Sequence, residues 1–199
     1  MLSLFPTPVG RFEFPRPFTK AELNYINKIK RSKNQGNYRS IDSYVLKNPK
    51  LKGISEYINT CVEEYFRQLF RPIDDVGIYV TQSWFNYSAT EQYHHRHGHP
   101  NSYLSGVLYI NAAENLDSIT FHVDDEFKRI KIDSTEATYY NSIQWTMPAK
   151  TGVMYIFPSY LQHSVEVVKS NQERVSLAFN TFLKGKIGNH VALTELILE

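Results

Sequence analysis

The sequence predicts a mainly β protein, an antiparallel double sheet of jelly-roll type with helices packed outside it. Two stretches of helical periodicity come first, and both precede Gly77. From Gly77 onward the pattern changes to short runs rich in β-branched and aromatic residues, separated by turn-forming clusters. Aromatic content is 14%, with 14 Tyr and 12 Phe, a composition that favours strands. Helices followed by seven or eight short strands describe a jelly-roll sandwich.

The first helix is "TKAELNYINKIKR". Thr19 and Glu22 have capping-box spacing, and Leu23, Ile26 and Ile29 follow on one face. The second, "NPKLKGISEYINTCVEEYFRQLF", repeats Leu51, Ile54, Ile58, Cys61, Val62, Tyr65 and Leu69 at helical period. Pro49 suits its first turn and Pro72 ends it. Cys61 lies on that stripe, so it fills the core and is no nucleophile. The strands are "IYVTQSWFNYS", "YLSGVLYIN", "SITFHV", "TYYNSIQW", "GVMYIFPS", "SVEVV" and "RVSLAFNTFL". The final "NHVALTELILE" fits strand or helix.

A chain of 199 residues is expected to form a single domain, 1–199, with a helical part over about 1–75 and a jelly-roll core over about 77–185. It can bury roughly 70% of its unfolded surface, so it needs no disulfide to fold. One cysteine excludes an internal disulfide and suits a reducing compartment. "MLSLFPTPVGRF" lacks a basic n-region and a continuous apolar core, and no apolar run nears the roughly 18 residues of a membrane span. A cytoplasmic location is expected, with no membrane partner. Net charge is +2, but nine Lys and Arg against Glu22 and Asp42 fall between Lys20 and Lys52. This run reads as a solvated helix and its loop, so nucleic acid is less suited as a partner.

The chemistry concentrates in "TEQYHHRHGHPNSYLSGVLYIN". Four of the seven histidines, His94, His95, His97 and His99, fall within six positions. In an extended chain, residues two apart share a face, so His97 and His99 project together. His95 shares their parity, whereas His94 joins them only where the backbone breaks before His97. Such a pair suits two corners of a metal's coordination sphere, because neutral imidazole is a common transition-metal ligand. His163 is the best candidate for a third. Each histidine taken alone is equally a hydrogen-bonded surface or core residue.

Eleven residues beyond His163 stands Arg174, followed by Ser176. With "KSNQ" as a hairpin turn, Arg174 would face Val167 and Ser176 would face Val165. Strand parity then sends His163, Arg174 and Ser176 into one cavity, with Arg174 about 13 Å from His163 at roughly 3.3 Å per residue. A small dicarboxylate could bridge much of that gap, one end on a metal and the other in the planar fork of the guanidinium. An arginine on an apolar strand is costly unless paired, by a bound anion or by an internal acid.

These residues resemble the Fe(II)/2-oxoglutarate-dependent oxygenases, and most closely the small members found in bacteria and phages. The pattern reads His94, His97, His99 and Pro100; Ser105, Gly106 and Tyr109; Gly152, Phe157, Pro158, Ser159 and His163; then Arg174, Ser176, Phe179 and Asn180. "SWFN" upstream and "LFPTPV" at the start also fit, so the resemblance covers most of the chain. A lone H-x-H is weak, but the ordered set is specific.

The resemblance implies a cupin-like jelly roll, the double-stranded β-helix, with iron(II) at its open end. It implies His97 and His163 as iron ligands, and Arg174, Ser176 and Tyr109 as contacts to 2-oxoglutarate. It further implies consumption of O2, release of succinate and oxidation of a substrate, most simply by hydroxylation. Relatives in the wider superfamily carry a carboxylate where this chain has His99. His99 is then the third ligand, or Glu91 or Asp124 supplies one, or that corner is open. His94 and His95 would lie near the metal or face substrate, and His122 and His190 have no motif support. The primary substrate would be a protein, peptide or small molecule. Two alternatives stand beside this reading: a three-histidine, cupin-like enzyme that does not use 2-oxoglutarate, and a non-catalytic jelly-roll binding module.

Overall fold

The structure, a computed structural model, describes residues 4–73, 76–123 and 133–198. In chain order the elements are β1 (Gly10–Glu13), α1 (Lys20–Lys28), β2 (Arg31–Lys33), β3 (Tyr38–Ser40), α2 (Lys52–Phe70), β4 (Gly77–Ser88) and β5 (His94–His97). There follow β6 (Leu104–Asn111), β7 (Ser118–His122), β8 (Gln144–Pro148), β9 (Val153–Pro158), β10 (Gln162–Val165), β11 (Arg174–Ile187) and β12 (Leu196–Leu198). The larger sheet runs β1-β9-β6-β11-β4-β3-β2 with β12 beside β11, and the smaller runs β5-β10-β7-β8. All ladders between these strands are antiparallel. This is the expected jelly roll.

Alternation along the strands builds three layers. Met154 and Ile156 of β9 join the helix-side core, while Val153, Tyr155 and Phe157 fill the space between the sheets. Covered on both faces, β9 reads as an unbroken apolar run. On β11, Val175, Leu177 and Phe179 face the helices, and Arg174, Ser176 and Ala178 face the cavity between the sheets. On β4, Phe85 and Tyr87 pack outward, whereas Trp84, Asn86 and Ser88 point in. The large sheet thus spends its apolar stripe on the helices and keeps a polar stripe for the cavity.

The helices form for the reasons the sequence gives. Thr19 and Glu22 make the reciprocal capping box of α1, and Arg16 grips the buried Glu22 carboxylate at 2.6 and 2.9 Å. That pairing holds the Glu22 carboxyl below its usual range. The Tyr87 hydroxyl donates to the Ile26 carbonyl at 2.6 Å and ties α1 to the sheet. On α2 the buried stripe is Ile54, Ile58, Cys61, Val62, Tyr65 and Phe66. Leu69, expected on that stripe, is 38% exposed and lies two residues before the left-handed Arg71 that stops the helix ahead of Pro72.

Three expectations need correction, and one alternative is resolved. β1, β2, β3 and β5, of three or four residues each, are too short for alternation to register. The "TYYNSIQW" strand begins only at Gln144, because Asn141 accepts from the Thr138 N–H and closes a turn. The C-terminal stretch resolves into an Asn189-anchored turn and β12. Lastly, Ser164–Val168 and Arg174–Phe182 are not a hairpin: β10 pairs with β5 and β7, and β11 pairs with β4 and β6. Val168 instead exchanges backbone hydrogen bonds with Glu91 and Gln92, so the intervening chain crosses from the small sheet to the large one.

Gly106 of β6 lies opposite Phe179 of β11, and a Cβ there would sit 2.2 Å from the Phe179 ring. Gly106→Ala should therefore overpack the helix-side core and cost about 1–3 kcal/mol. Leu69→Ala, at the exposed end of α2, should stay within about 0.5 kcal/mol. Urea denaturation midpoints of the two variants test the contrast.

Candidate metal centre

His97 of β5 lies directly opposite His163 of β10. Two positions further along β10, Val165 pairs with His94, so three steps of β5 oppose two of β10. This bulge shifts the side-chain phase and turns His94 and His97 to the same cavity, which His95 does not line. His99 follows in the loop, its N–H donating to the Ser159 carbonyl at 3.0 Å.

Three imidazoles converge. Ring centroids are 4.4 Å apart for His97–His163, 5.0 Å for His97–His99 and 5.1 Å for His99–His163. One nitrogen from each lies within 4.8 Å of the others, a spacing that can hold a metal ion. Their second nitrogens add to the fit. His97 Nδ1 lies 2.7 Å from the His95 carbonyl and His163 Nδ1 lies 3.1 Å from the Leu161 carbonyl. A carbonyl can only accept, so both rings carry the proton on Nδ1 and present the Nε2 lone pair. Burial, reinforced by the neighbouring rings, lowers the His99 pKa to about 4 and that of His163 well below 6.5. Burial also lowers His97, against the hydrogen bond to the His95 carbonyl. Neutral donors of borderline softness suit an iron(II) ion.

His94 stacks on His97 at 4.4 Å, and burial lowers its pKa to about 3. Among the described residues no carboxylate joins the cluster: Glu91 is exposed, and Asp124 lies outside the described residues. His122 hydrogen-bonds Ser164 at 2.8 Å, and His190 is exposed.

The opposite wall is polar and comes from the large sheet. Ser176 sits between Asn86 of β4 and Tyr109 of β6, and Arg174 is one pair further along, opposite Ser88. All line the same cavity as the histidines, so Arg174 reaches it across the sandwich and not along a hairpin. Tyr109 Oη and Asn86 Oδ1 are buried there without hydrogen-bond partners. Burial raises the Tyr109 phenol pKa, so its hydroxyl is a proton donor.

Sequence reasoning missed two groups here. Asn86 was visible only as part of "SWFN". Asp117, between "ENL" and "SITF", carries no local signal; its Oδ1 lies 3.6 Å from Arg174 Nη1, with the two side chains 1% and 4% exposed. That separation is an ion pair and too long for a hydrogen bond. Asp117 Oδ2 accepts from the Ala113 N–H, while Oδ1 has no hydrogen-bond partner. Arg174 is thus charge-balanced yet keeps donors for a ligand. The cavity measures about 40 Å³. That is room for a few waters, so a five-carbon diacid requires its walls to part.

The remaining motif residues explain the position of His99. Ser105 donates to Asn180 Oδ1 at 2.8 Å and meets Ser159 Oγ at 2.7 Å, and Ser159 donates to Ser102 at 2.7 Å. This buried network ties the loop carrying His99 to β6, β9 and β11.

Residues 82–180 match the family model described as "Putative 2OG-Fe(II) oxygenase". The chain belongs to the 2OG-Fe(II) oxygenases, which use iron(II) as cofactor with 2-oxoglutarate and dioxygen as co-substrates. It resembles an oxidoreductase of the 2OG-Fe(II) oxygenase family from Burkholderia pseudomallei, at 14% identity and TM-score 0.58, covering 86% of this chain and 84% of that one. HygX from Streptomyces hygroscopicus, solved with nickel and 2-oxoglutarate bound, matches at 8% identity and TM-score 0.59, covering 88% and 82%. The non-heme alpha ketoglutarate dependent epimerase SnoN from nogalamycin biosynthesis matches at 9% and 0.59, covering 88% and 78%. At such identities these likenesses concern the fold. No curated protein matches the sequence. No helix among the described residues is long and apolar enough to cross a membrane.

The depressed imidazoles have a consequence for acid stability. Their folded pKa values lie below the ordinary 6.5, so the unfolded chain takes up protons first as pH falls. Stability present above pH 6.5 should decline toward pH 4, with His99 alone contributing about 1.4 kcal/mol per pH unit. Denaturation midpoints of metal-free protein that stay level across this window would contradict the assignment of neutral, buried rings.

Proposed function

We propose that the chain hydroxylates an organic substrate, converting R–H, 2-oxoglutarate and O2 into R–OH, succinate and CO2. His97, His99 and His163 would hold the iron, and Arg174, Ser176 and Tyr109 would hold the co-substrate. One observation carries this reading: the imidazole cluster on the small sheet and the Arg174–Ser176 pair on the large sheet line a single cavity. Bound iron supplies dioxygen activation and the oxidising power for the C–H bond.

The residues divide the remaining work. The Nδ1–H bonds to the His95 and Leu161 carbonyls fix two rings in the ligating tautomer. A diacid offers acceptors only, and the facing wall offers the Arg174 fork, the Ser176 hydroxyl and the protonated Tyr109 hydroxyl. Buried Ile119 of the small sheet and Phe157 of the large one give the cavity its apolar lining, and Trp84 leans over His99 at 5.9 Å between rings.

A second reading, a three-histidine enzyme that does not use 2-oxoglutarate, draws support from the carboxylate-free cluster and from Asp117 beside Arg174. Arg174→Ala separates the two. Removing one member of a buried charge pair should weaken 2-oxoglutarate binding at least roughly thirtyfold under the oxygenase reading and leave it unmoved under the other. Binding is followed anaerobically by the visible charge-transfer band of the ferrous protein, and turnover in air by succinate. Wild-type protein giving neither band nor succinate would sink the oxygenase reading.

A further inference from the structure

Two larger hollows adjoin the metal-site residues, of about 790 Å³ beside His99 and about 760 Å³ beside Phe121 and Leu161. Pro6 of the N-terminal segment lines both. We propose that the second hollow seats the primary substrate, and that this substrate is an uncharged small molecule bearing a flat ring. Its role as substrate rests on the oxygenase reading above; the binding does not.

Ring geometry is the first support. Tyr139 and Trp145 stack with centroids 5.0 Å apart and planes 21° apart, yet they are 85% and 38% exposed. Stacked rings of that size are ordinarily covered, and an open pair offers a face to another ring. Phe5 lines the same hollow, 95% exposed, with its backbone at φ 61. Left-handed backbone is uncommon outside glycine, and such conformations gather at functional sites.

Position is the second. Trp145 of β8 pairs directly with Phe121 of β7, whose ring lies 6.2 Å from that of His163. Leu161, also on the wall, supplies the carbonyl that fixes the His163 tautomer. A molecule stacked on Trp145 is therefore one side chain from the metal cluster.

Charge is the third. No Asp, Glu, Lys or Arg is among the described residues lining either hollow. Among the described lining residues no opposite charge would pair with a charged ligand as it loses its water, and no cation would meet the phosphates of a nucleic acid. The basic stretch includes β2 and β3 at one end of the large sheet, whereas the hollow borders Thr7 and Val9, next to β1 at the other. A volume of about 760 Å³ falls in the range of small-molecule sites.

The test uses metal-free protein and three naphthalenes that share a ring and differ in charge: acetylnaphthalene, naphthoate and naphthylmethylamine. The chain has two tryptophans, so two indole N–H signals report binding by NMR. Acetylnaphthalene should shift the Trp145 signal, with the two charged probes at least about tenfold weaker. Trp145→Ala and Tyr139→Ala should each weaken it roughly threefold to tenfold. Tyr139 is exposed, so its loss leaves the fold intact, and Trp145→Phe should retain most of the binding. Equal binding of all three probes, no shift at Trp145, or a shift produced by single-stranded oligonucleotide instead would overturn the proposal. In iron-loaded enzyme, uncharged ring compounds should stimulate succinate formation. Binding without stimulation removes the substrate role, whereas absence of 2-oxoglutarate binding tells against the oxygenase reading itself.

Discussion

Side chains on a strand alternate with a period of two, and one interruption of that rule brings a further imidazole, His94, into the cavity where His97 meets His163. Between His94 and His97 the chain takes three steps against two on β10. The extra residue changes the phase, so both imidazoles enter the cavity and His95 is turned aside. A regular ladder would set His97 opposite His163 but send His94 to the other face. The pairing of His97 with His163 also brings one donor from each strand together, which no spacing along a single strand can do.

His99 lies beyond the end of β5, where no ladder holds it. Its position comes from a backbone bond to Ser159 and from the hydroxyls of Ser102, Ser105 and Ser159, anchored on Asn180. Leaving one buried polar group unpaired costs about 1–3 kcal/mol, so such a network holds its members only when complete. Three strands and a loop meet at this point. The serines and the asparagine therefore do geometric work, without lining the cavity themselves.

Much of this was legible in the sequence, and the failures have identifiable causes. The capping box at Thr19, the α2 stripe and the long strands follow from periodicity, which a long element records many times over. The three histidines and Arg174 stand in the motif, although their common cavity was reached by a wrong route. "SVEVVKSNQERVSLAFN" has the same alternation whether its halves form a hairpin or belong to different sheets. The pairing that decides between them, Val168 with the Glu91–Gln92 turn, involves residues some 75 positions apart. Asp117 was invisible for the same reason. It lies just before a strand, where an acid is ordinary, and only the fold sets it against Arg174.

That aspartate bears on the unusual cluster. A common iron site carries two histidines and one carboxylate, whereas the group found here is three neutral imidazoles. Arg174 and Asp117, both buried, cancel one another. The protein therefore brings no net charge to the cavity, and a divalent cation and a doubly charged diacid would neutralise each other within it. With a carboxylate in place of His99, the same sum would reach zero only if Arg174 were unpaired. The negative charge missing from the imidazole cluster is present beside the arginine, on the opposite sheet. Burial makes such balance consequential, because a stray charge in a small enclosed cavity is far more costly than one in water. The third histidine and the buried aspartate are, on this argument, two halves of one electrostatic arrangement.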